Sequence, residues 1–508
     1  MATLKELRAE RLRKLQVLKD LGVDPYPSFV KRDYSLDEIN QKFENLKGNN
    51  VSVAGRISAI RKFGKIAFLS IYDQTGKLQL FLKQDKVEDL QAKNSQLGFS
   101  QLPLLDNGDF IEVNGTVIET KTGEKSIEVE KLRIIGKSLR ALPIKQEGFT
   151  SKEERLRRRY VDFNVNQEVR DRFIRRSSFW QAVRDYLNQA GFVEINVPVL
   201  EHTTGGADAN PFVTHMDALD QDFYLRISHE LPLKRLLGGG FEKVYDIGPR
   251  FRNENYSDEH LPEHIAMESY TAYQDYQEGI KFYEAFLKDI AFKTWGKLNF
   301  KIANFDVNLD QSWPIIKYQD IMAEKFNVDV FKPDLNQLKD ILKKNQVNLT
   351  GQINLVRALD SVWKIIRSQS AGPFWLIGEP ILISPLAKQE PNNSLVSQRF
   401  HPVIGGTEMG NGYSELNDPI EQLNRFKEQQ KMRDAGDSEA QMLDIDFIEM
   451  LEYGMPPACG WGISERFFWV LEGVSAREGV PFPQLRYEID SVTRSIYPDL
   501  FKDLKPKK

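Results

Sequence analysis

Phe251-Arg252-Asn253-Glu254, followed by His260 and then by Glu268-Ser269-Tyr270, is the stretch whose reading decides the fold. Apolar residues flank it, Val244, Tyr245 and Ile247 before and Ile265, Ala266 and Met267 after. The pattern predicts two strands joined by a charged loop from Asn255 to Glu263. An arginine and a glutamate at the mouth of such a hairpin suit a bound nucleotide. Arginine forks onto phosphate, and a glutamate accepts from an exocyclic amine. Taken alone, R-x-E is a common tripeptide and more often marks a surface hairpin with incidental charges. The rest of the chain has to decide between the two.

Downstream of the hairpin, strands and helices mix without βαβ alternation. The chain has no G-x-G-x-x-G after a strand and no G-x-x-x-x-G-K-[ST]. Gly238-Gly239-Gly240 fits neither pattern and reads as a turn after a helix. ATP, if used, is not held by a Rossmann or P-loop device. That favours an α+β domain on an antiparallel sheet. Upstream, an amphipathic helix is predicted over residues 167–190, ended by Gly191, with a strand over Phe192–Pro198 closed by its proline. Residues 141–166 form a basic connector. Before it, Val51–Ile60, Ile66–Tyr72, Leu78–Leu82, Phe110–Ile118 and Ser126–Ile134 read as five strands separated by turn signals. Five short strands in about 85 residues fit an OB-fold, an oligonucleotide platform, or any other small Greek-key barrel. Residues 4–21 read as a helix with Arg8, Arg11, Arg13, Lys14 and Lys19 on one face, either solvated or set against nucleic-acid phosphates.

The 508 residues exceed one core and imply two or three domains. Lysine plus arginine (69) nearly balances aspartate plus glutamate (73), so nucleic acid would have to be met by local patches. A single cysteine, Cys459, excludes an intrachain disulfide framework and a multi-cysteine zinc site. The N-terminus lacks an apolar signal region, and no apolar run is long enough for a membrane span. The expectation is a cytoplasmic protein with no membrane contact.

Several stretches together resemble the class II lysyl-tRNA synthetases of the bacterial and eukaryotic type, along nearly the full length. They are Gly191-Phe192-Val193-Glu194 with Pro198 (motif 1), Gly205-Gly206-Ala207, and Tyr224-Leu225-Arg226-Ile227 leading to Glu230 and Lys234-Arg235. Next come Phe251-Arg252-Asn253-Glu254 through Glu268 (motif 2), Ser384-Pro385-Leu386-Ala387, and Asn411-Gly412-Tyr413-Ser414-Glu415. Glu465-Arg466 after Gly460 and Gly462 is motif 3. The fold this implies is an N-terminal five-stranded OB-fold barrel followed by a class II catalytic domain built on an antiparallel sheet with flanking helices. The implied organisation is a basic helix and lead-in at 1–50, an anticodon-binding barrel at 51–140, the connector, and a catalytic domain at 167–508 with a mostly helical insertion at 308–380.

The resemblance also implies an activity. L-lysine is activated by ATP to lysyl-adenylate and pyrophosphate, then transferred to the 3′ end of tRNA(Lys). Arg252 and Arg466 would be catalytic. Arg252, Glu254, His260, His264 and Arg466 would bind ATP. Gly206, Glu230, Arg252, Glu268, Tyr270, Asn411, Tyr413 and Glu415 would bind lysine, with Glu268, Glu415 and Tyr270 around the ε-ammonium. Magnesium would take Glu408 as its ligand. Arg61, Phe68, Gln79 and Glu124 would read the anticodon, although an isolated Phe68 reads more often as core. Motif 1 implies a two-fold homodimer. Three positions depart from the family pattern: His264 stands where a phenylalanine stacks on adenine, His401 where a glutamate helps hold magnesium, and motif 3 is one residue short. The rivals are a synthetase for aspartate or asparagine, disfavoured by Glu268 and Glu415, a protein-lysylating paralogue, disfavoured by the barrel, and a catalytically silent relative.

Overall fold

The computed structural model describes residues 3–143, 149–254, 257–347 and 354–501; Asn255, where the expected hairpin loop begins, lies outside them. The chain divides into two compact units. One comprises residues 1–155, 160–165 and 486–508, and the other residues 156–159 and 166–485.

In the first unit, Ala67, Leu69 and Ile71 of the Ile66–Tyr72 strand and Leu78, Leu80 and Leu82 of the Lys77–Lys83 strand point inward. This is the period-two pattern of a half-buried strand. Strands Asn50–Phe63, Phe110–Glu119 and Lys125–Gly136 complete the antiparallel set. Parallel pairing of Gln79 with Ser126 and Phe81 with Glu128 closes the sheet into a barrel. A two-residue strand, Gln96–Leu97, is added at its edge; two residues carry no periodicity, so the sequence reading has no strand there.

Thr3 and Glu6 form a capping box on the Leu4–Asp20 helix. The basic face of that helix is not wholly solvated. The Arg11 guanidinium is buried and donates to the Ser138, Arg140 and Asn107 carbonyls at 2.9–3.2 Å, and Lys14 pairs with Asp106 at 2.7 Å. These two groups staple the helix to the barrel and are unavailable to phosphates. Residues 486–501 also group with this unit, where Arg140 donates to Thr493 and Arg8 stacks on the Tyr497 ring, rather than with the second.

The second unit is built on a nine-stranded sheet. Its order runs Ile315–Lys317, Phe374–Ile377, Arg399–Ile404, Asn411–Ser414, Ala458–Ser464, Glu263–Ala272, Lys243–Phe251 and Val193–Glu194, with Thr407–Glu408 pairing beside Arg399–Ile404. Only the two outermost pairs are parallel. Helices Gln167–Gln189 and Tyr276–Trp295 share one large core with the sheet, including Phe179, Val183, Tyr283, Phe286 and Trp461. Helix Glu230–Gly238 packs with Tyr270 and Tyr413 in a second core. Gly239 caps that helix, as the triple glycine suggests.

The expected strand over Phe192–Pro198 shrinks to Val193–Glu194. Beyond it, the Ile195 N–H still donates to the Tyr245 carbonyl, but the Val197 carbonyl accepts from the Arg226 side chain and the ladder ends there. Residues of the 308–380 segment form helices Tyr318–Phe326, Leu335–Lys344 and Leu355–Ser368 over their own core of Met322, Leu338, Leu342, Leu359 and Val362.

Candidate functional site

Strand alternation places His264, Glu268 and Tyr270 on one face of Glu263–Ala272, while Met267 faces the large core. Ala458–Ser464 lies beside it, and Tyr270 and Tyr413 both pair with Gly460 from opposite sides. Three carboxylates, Glu230, Glu268 and Glu415, are thereby buried in one pocket. Ser228 donates its hydroxyl to Glu268 at 2.8 Å, and Tyr270 donates to the same carboxylate at 3.2 Å. Tyr413 donates to Glu230.

The countercharges were not assigned from sequence. Lys234, fully buried on the Glu230–Gly238 helix, reaches Glu230 at 2.7 Å and also pairs with Glu415. Arg250 approaches Glu268 at 3.9 Å. Neighbouring Arg226 and Asp246 neutralise each other at 2.8 Å. Three carboxylates against Lys234 and Arg250 leave one negative charge unmatched. Burial, opposed by Lys234, raises the Glu230 carboxyl and pushes Glu415 well above the usual range. Glu268 is lowered overall: burial raises it, but His229, Arg250 and the Ser228 hydrogen bond outweigh burial. His229 itself, buried at the start of the helix, is pushed down to about 4, chiefly by burial.

Gly206 lies at the rim with φ +84°, and a Cβ there would come within 2.7 Å of Glu230 and 2.8 Å of Ser228. Its N–H donates to Gln441 at 3.3 Å. Asn411 accepts from Arg399 at 2.7 Å. Arg252 Nε is buried with no hydrogen-bond partner among the described residues, which suits a guanidinium built to meet an anion. Arg466 Nη2 stands 3.3 Å from His260 Nε2. Glu254 is exposed at the hairpin mouth. His264 is largely buried and accepts from Arg250 at 2.7 Å.

The Glu408 carboxylate accepts from the Trp363 indole and lies 3.7 Å from Arg367. Both partners come from the Leu355–Ser368 helix, so the inserted segment reaches this end of the site. Burial would raise Glu408, but His401, Arg367 and the Trp363 bond hold it down at about 2. His401 sits 3.4 Å from Glu379, which also pairs with Arg399 at 2.8 Å. In the shortened motif 3, Gly460 and Gly462 flank the buried Trp461, which stacks on Tyr283 at 4.5 Å. Cys459 is buried, as its packing role predicts.

On the barrel, Arg61, Phe68, Gln79 and Glu124 line one groove of about 850 Å³. Phe68 turns away from the barrel core and stacks on Phe81 at 5.0 Å and 15°. Gln79 spends its amide N–H on Ser126 at 3.0 Å, leaving its oxygen to the groove.

Sequence comparison agrees with this division. Residues 151–486 match the class II tRNA synthetases for D, K and N, and residues 51–135 match the OB-fold nucleic acid binding domain. The lysine–tRNA ligase of Thermotoga maritima is 37% identical over 492 residues, covering 94% of this chain and 96% of the relative. That of Fervidobacterium nodosum is 37% identical over 508 residues, covering 98% and 97%. That of Prochlorococcus marinus is 39% identical over 500 residues, covering 96% and 98%.

Proposed function

The chain belongs to the class II lysine–tRNA ligases, and on that premise we propose that the pocket of Glu230, Glu268 and Glu415 takes lysine, with ATP along the motif 2 hairpin. The observation that carries this is the burial of three carboxylates, Glu230, Glu268 and Glu415, side by side. Lysine brings two ammonium groups to these carboxylates and one carboxylate to Arg252. Glu268, Glu415 and Tyr270 hold the ε-ammonium. Glu230 and the Gly206 backbone take the α-ammonium, Asn411 and Arg252 the carboxylate, and Tyr413 flanks the aliphatic stem. Aspartate or asparagine would bring no cation to the side-chain end, and a buried charge left unpaired costs about 1–3 kcal/mol or more.

Arg252 aligns the lysine carboxylate with the α-phosphate for in-line attack. Arg466 and His260 meet the outer phosphates, and Glu254 accepts from the adenine amine. Such a step needs alignment and charge stabilisation more than a general base. Glu408 fits as the protein ligand of a magnesium ion arriving with ATP, because it is a partly exposed carboxylate kept ionised, and the ion would neutralise phosphate charge. The barrel groove presents Phe68 for stacking and Arg61, Gln79 and Glu124 for the edges of anticodon bases. A two-fold homodimer through the motif 1 region draws support from apolar Val193 and Leu200, 49% and 44% exposed. No helix among the described residues is long and apolar enough to cross a membrane; the proposed place of work, by family membership, is the cytoplasm. Lysine-dependent ATP–pyrophosphate exchange, with aspartate and asparagine as controls, tests the assignment. Exchange is expected with lysine alone, and none with any amino acid would end the reading.

A further inference from the structure

Arg250, the countercharge of Glu268, touches both halves of the site with its guanidinium. The Lys243–Phe251 and Glu263–Ala272 strands pair so that Arg250 stands directly opposite His264. Its Nε–H donates to His264 Nε2 at 2.7 Å, and its Nη1 lies 3.9 Å from Glu268 Oε1. The geometry points to Arg250 as a positioning residue that fixes His264 as a neutral ring protonated on Nδ1, and that ties the base-side wall of the ATP subsite to the carboxylate of the lysine subsite.

A guanidinium has only donors, so the nitrogen facing it must offer a lone pair. A charged imidazole, or one protonated on Nε2, would set two donors head to head in a largely buried place. Arg252 and Arg466 also face the ring. Burial, then Arg250 and Arg252, drive protonation of His264 well below the usual range, against the nearby Leu261 backbone, which favours it; Nδ1 itself is buried and makes no hydrogen bond among the described residues. Arg250 itself is lowered to about 9 by burial and Arg252, is supported by Glu268, and so remains a cation at neutral pH. A neutral ring offers a flat face to a purine without adding charge beside Arg252 and Arg466. Arg250 thus makes a histidine serve where a phenylalanine is usual. This role for the ring rests on the proposed reading of the site; the tautomer does not.

The test is ring-15N spectroscopy of the full-length protein with labelled histidine. There are six histidines in the chain, and His264→Phe identifies the signal by its loss. The expected result is Nδ1 protonated and Nε2 unprotonated from pH 5.5 to 8, without titration. Arg250→Met should let the ring titrate, and the KM for ATP in lysine-dependent exchange should then vary by up to about tenfold per pH unit below the new pKa. Arg250→Lys, which keeps a cationic donor, should restore the Nδ1 tautomer and the flat profile. A charged or Nε2-protonated His264 in the unaltered protein at pH 6.5 overturns the inference. So does an Arg250→Met protein whose ring and KM profile are unchanged. If the tautomer is as expected but no amino acid supports exchange, the proposed function fails while the Arg250–His264 assignment stands.

Discussion

Glu268 shows how one residue decides specificity. It is buried, receives the Ser228 and Tyr270 hydroxyls, and faces Arg250. Glu268→Gln keeps the shape and both hydroxyl contacts but removes the charge. A hydrogen bond to a charged group contributes about 1.5–3 kcal/mol, so the KM for lysine should rise roughly 10–100-fold at 1.4 kcal/mol per decade. The KM for ATP should stay within about twofold. Steady-state exchange with each substrate varied separates these outcomes, and equal loss in both would make Glu268 a packing residue. The carboxylates of the pocket were legible in the sequence through the motifs around them. Their countercharges were not. Glu230 and Lys234 are spaced i, i+4 on a helix, which reads as a surface ion pair of little consequence. Only Glu415 and Tyr413, some 180 positions later, close over Lys234 and make it a buried cation. Arg250 likewise reads as one more charge beside Arg252 until strand pairing sets it against His264.

At the scale of the element, the Ala458–Ser464 strand is the floor of the pocket, and its glycines are spatial requirements. A Cβ on Gly460 would sit 2.2 Å from Glu415 Oε1 and 2.3 Å from the Tyr270 ring. Glu415 has no room to retreat, because it is buried and held by Lys234. Gly460→Ala should therefore abolish lysine-dependent exchange while costing only about 1–3 kcal/mol of stability, the usual range for overpacking. A folded protein by circular dichroism with near-normal exchange would show that the pocket yields, contrary to this account. The strands of the barrel were readable because alternation is a local signal. The motif 1 strand was overread, since Val193 to Val197 alternates well enough but its ladder ends where the Arg226 guanidinium takes the Val197 carbonyl, a partner that only the folded sheet supplies.

For the whole molecule, the two units answer different questions, and they can be tested apart. The catalytic unit holds all the groups proposed to activate lysine, and the barrel unit holds the groove proposed for the anticodon. Phe68 is the residue that distinguishes a reader from a scaffold. Core residues of its strand are Ala67, Leu69 and Ile71, whereas Phe68 lies outside, supported by Phe81. Removing it takes away a stacking surface without opening a cavity in the barrel. Base–aromatic stacking contributes about 1–3 kcal/mol per base, so Phe68→Ala should lower kcat/KM for tRNA in aminoacylation by roughly 5–150-fold. Lysine-dependent exchange, which needs no tRNA, should be unchanged, and the melting temperature should move little. If aminoacylation falls only in step with a loss of stability, Phe68 is a packing residue after all. If exchange falls equally, the barrel groove is not a separate recognition site, and the division of labour between the units has to be redrawn.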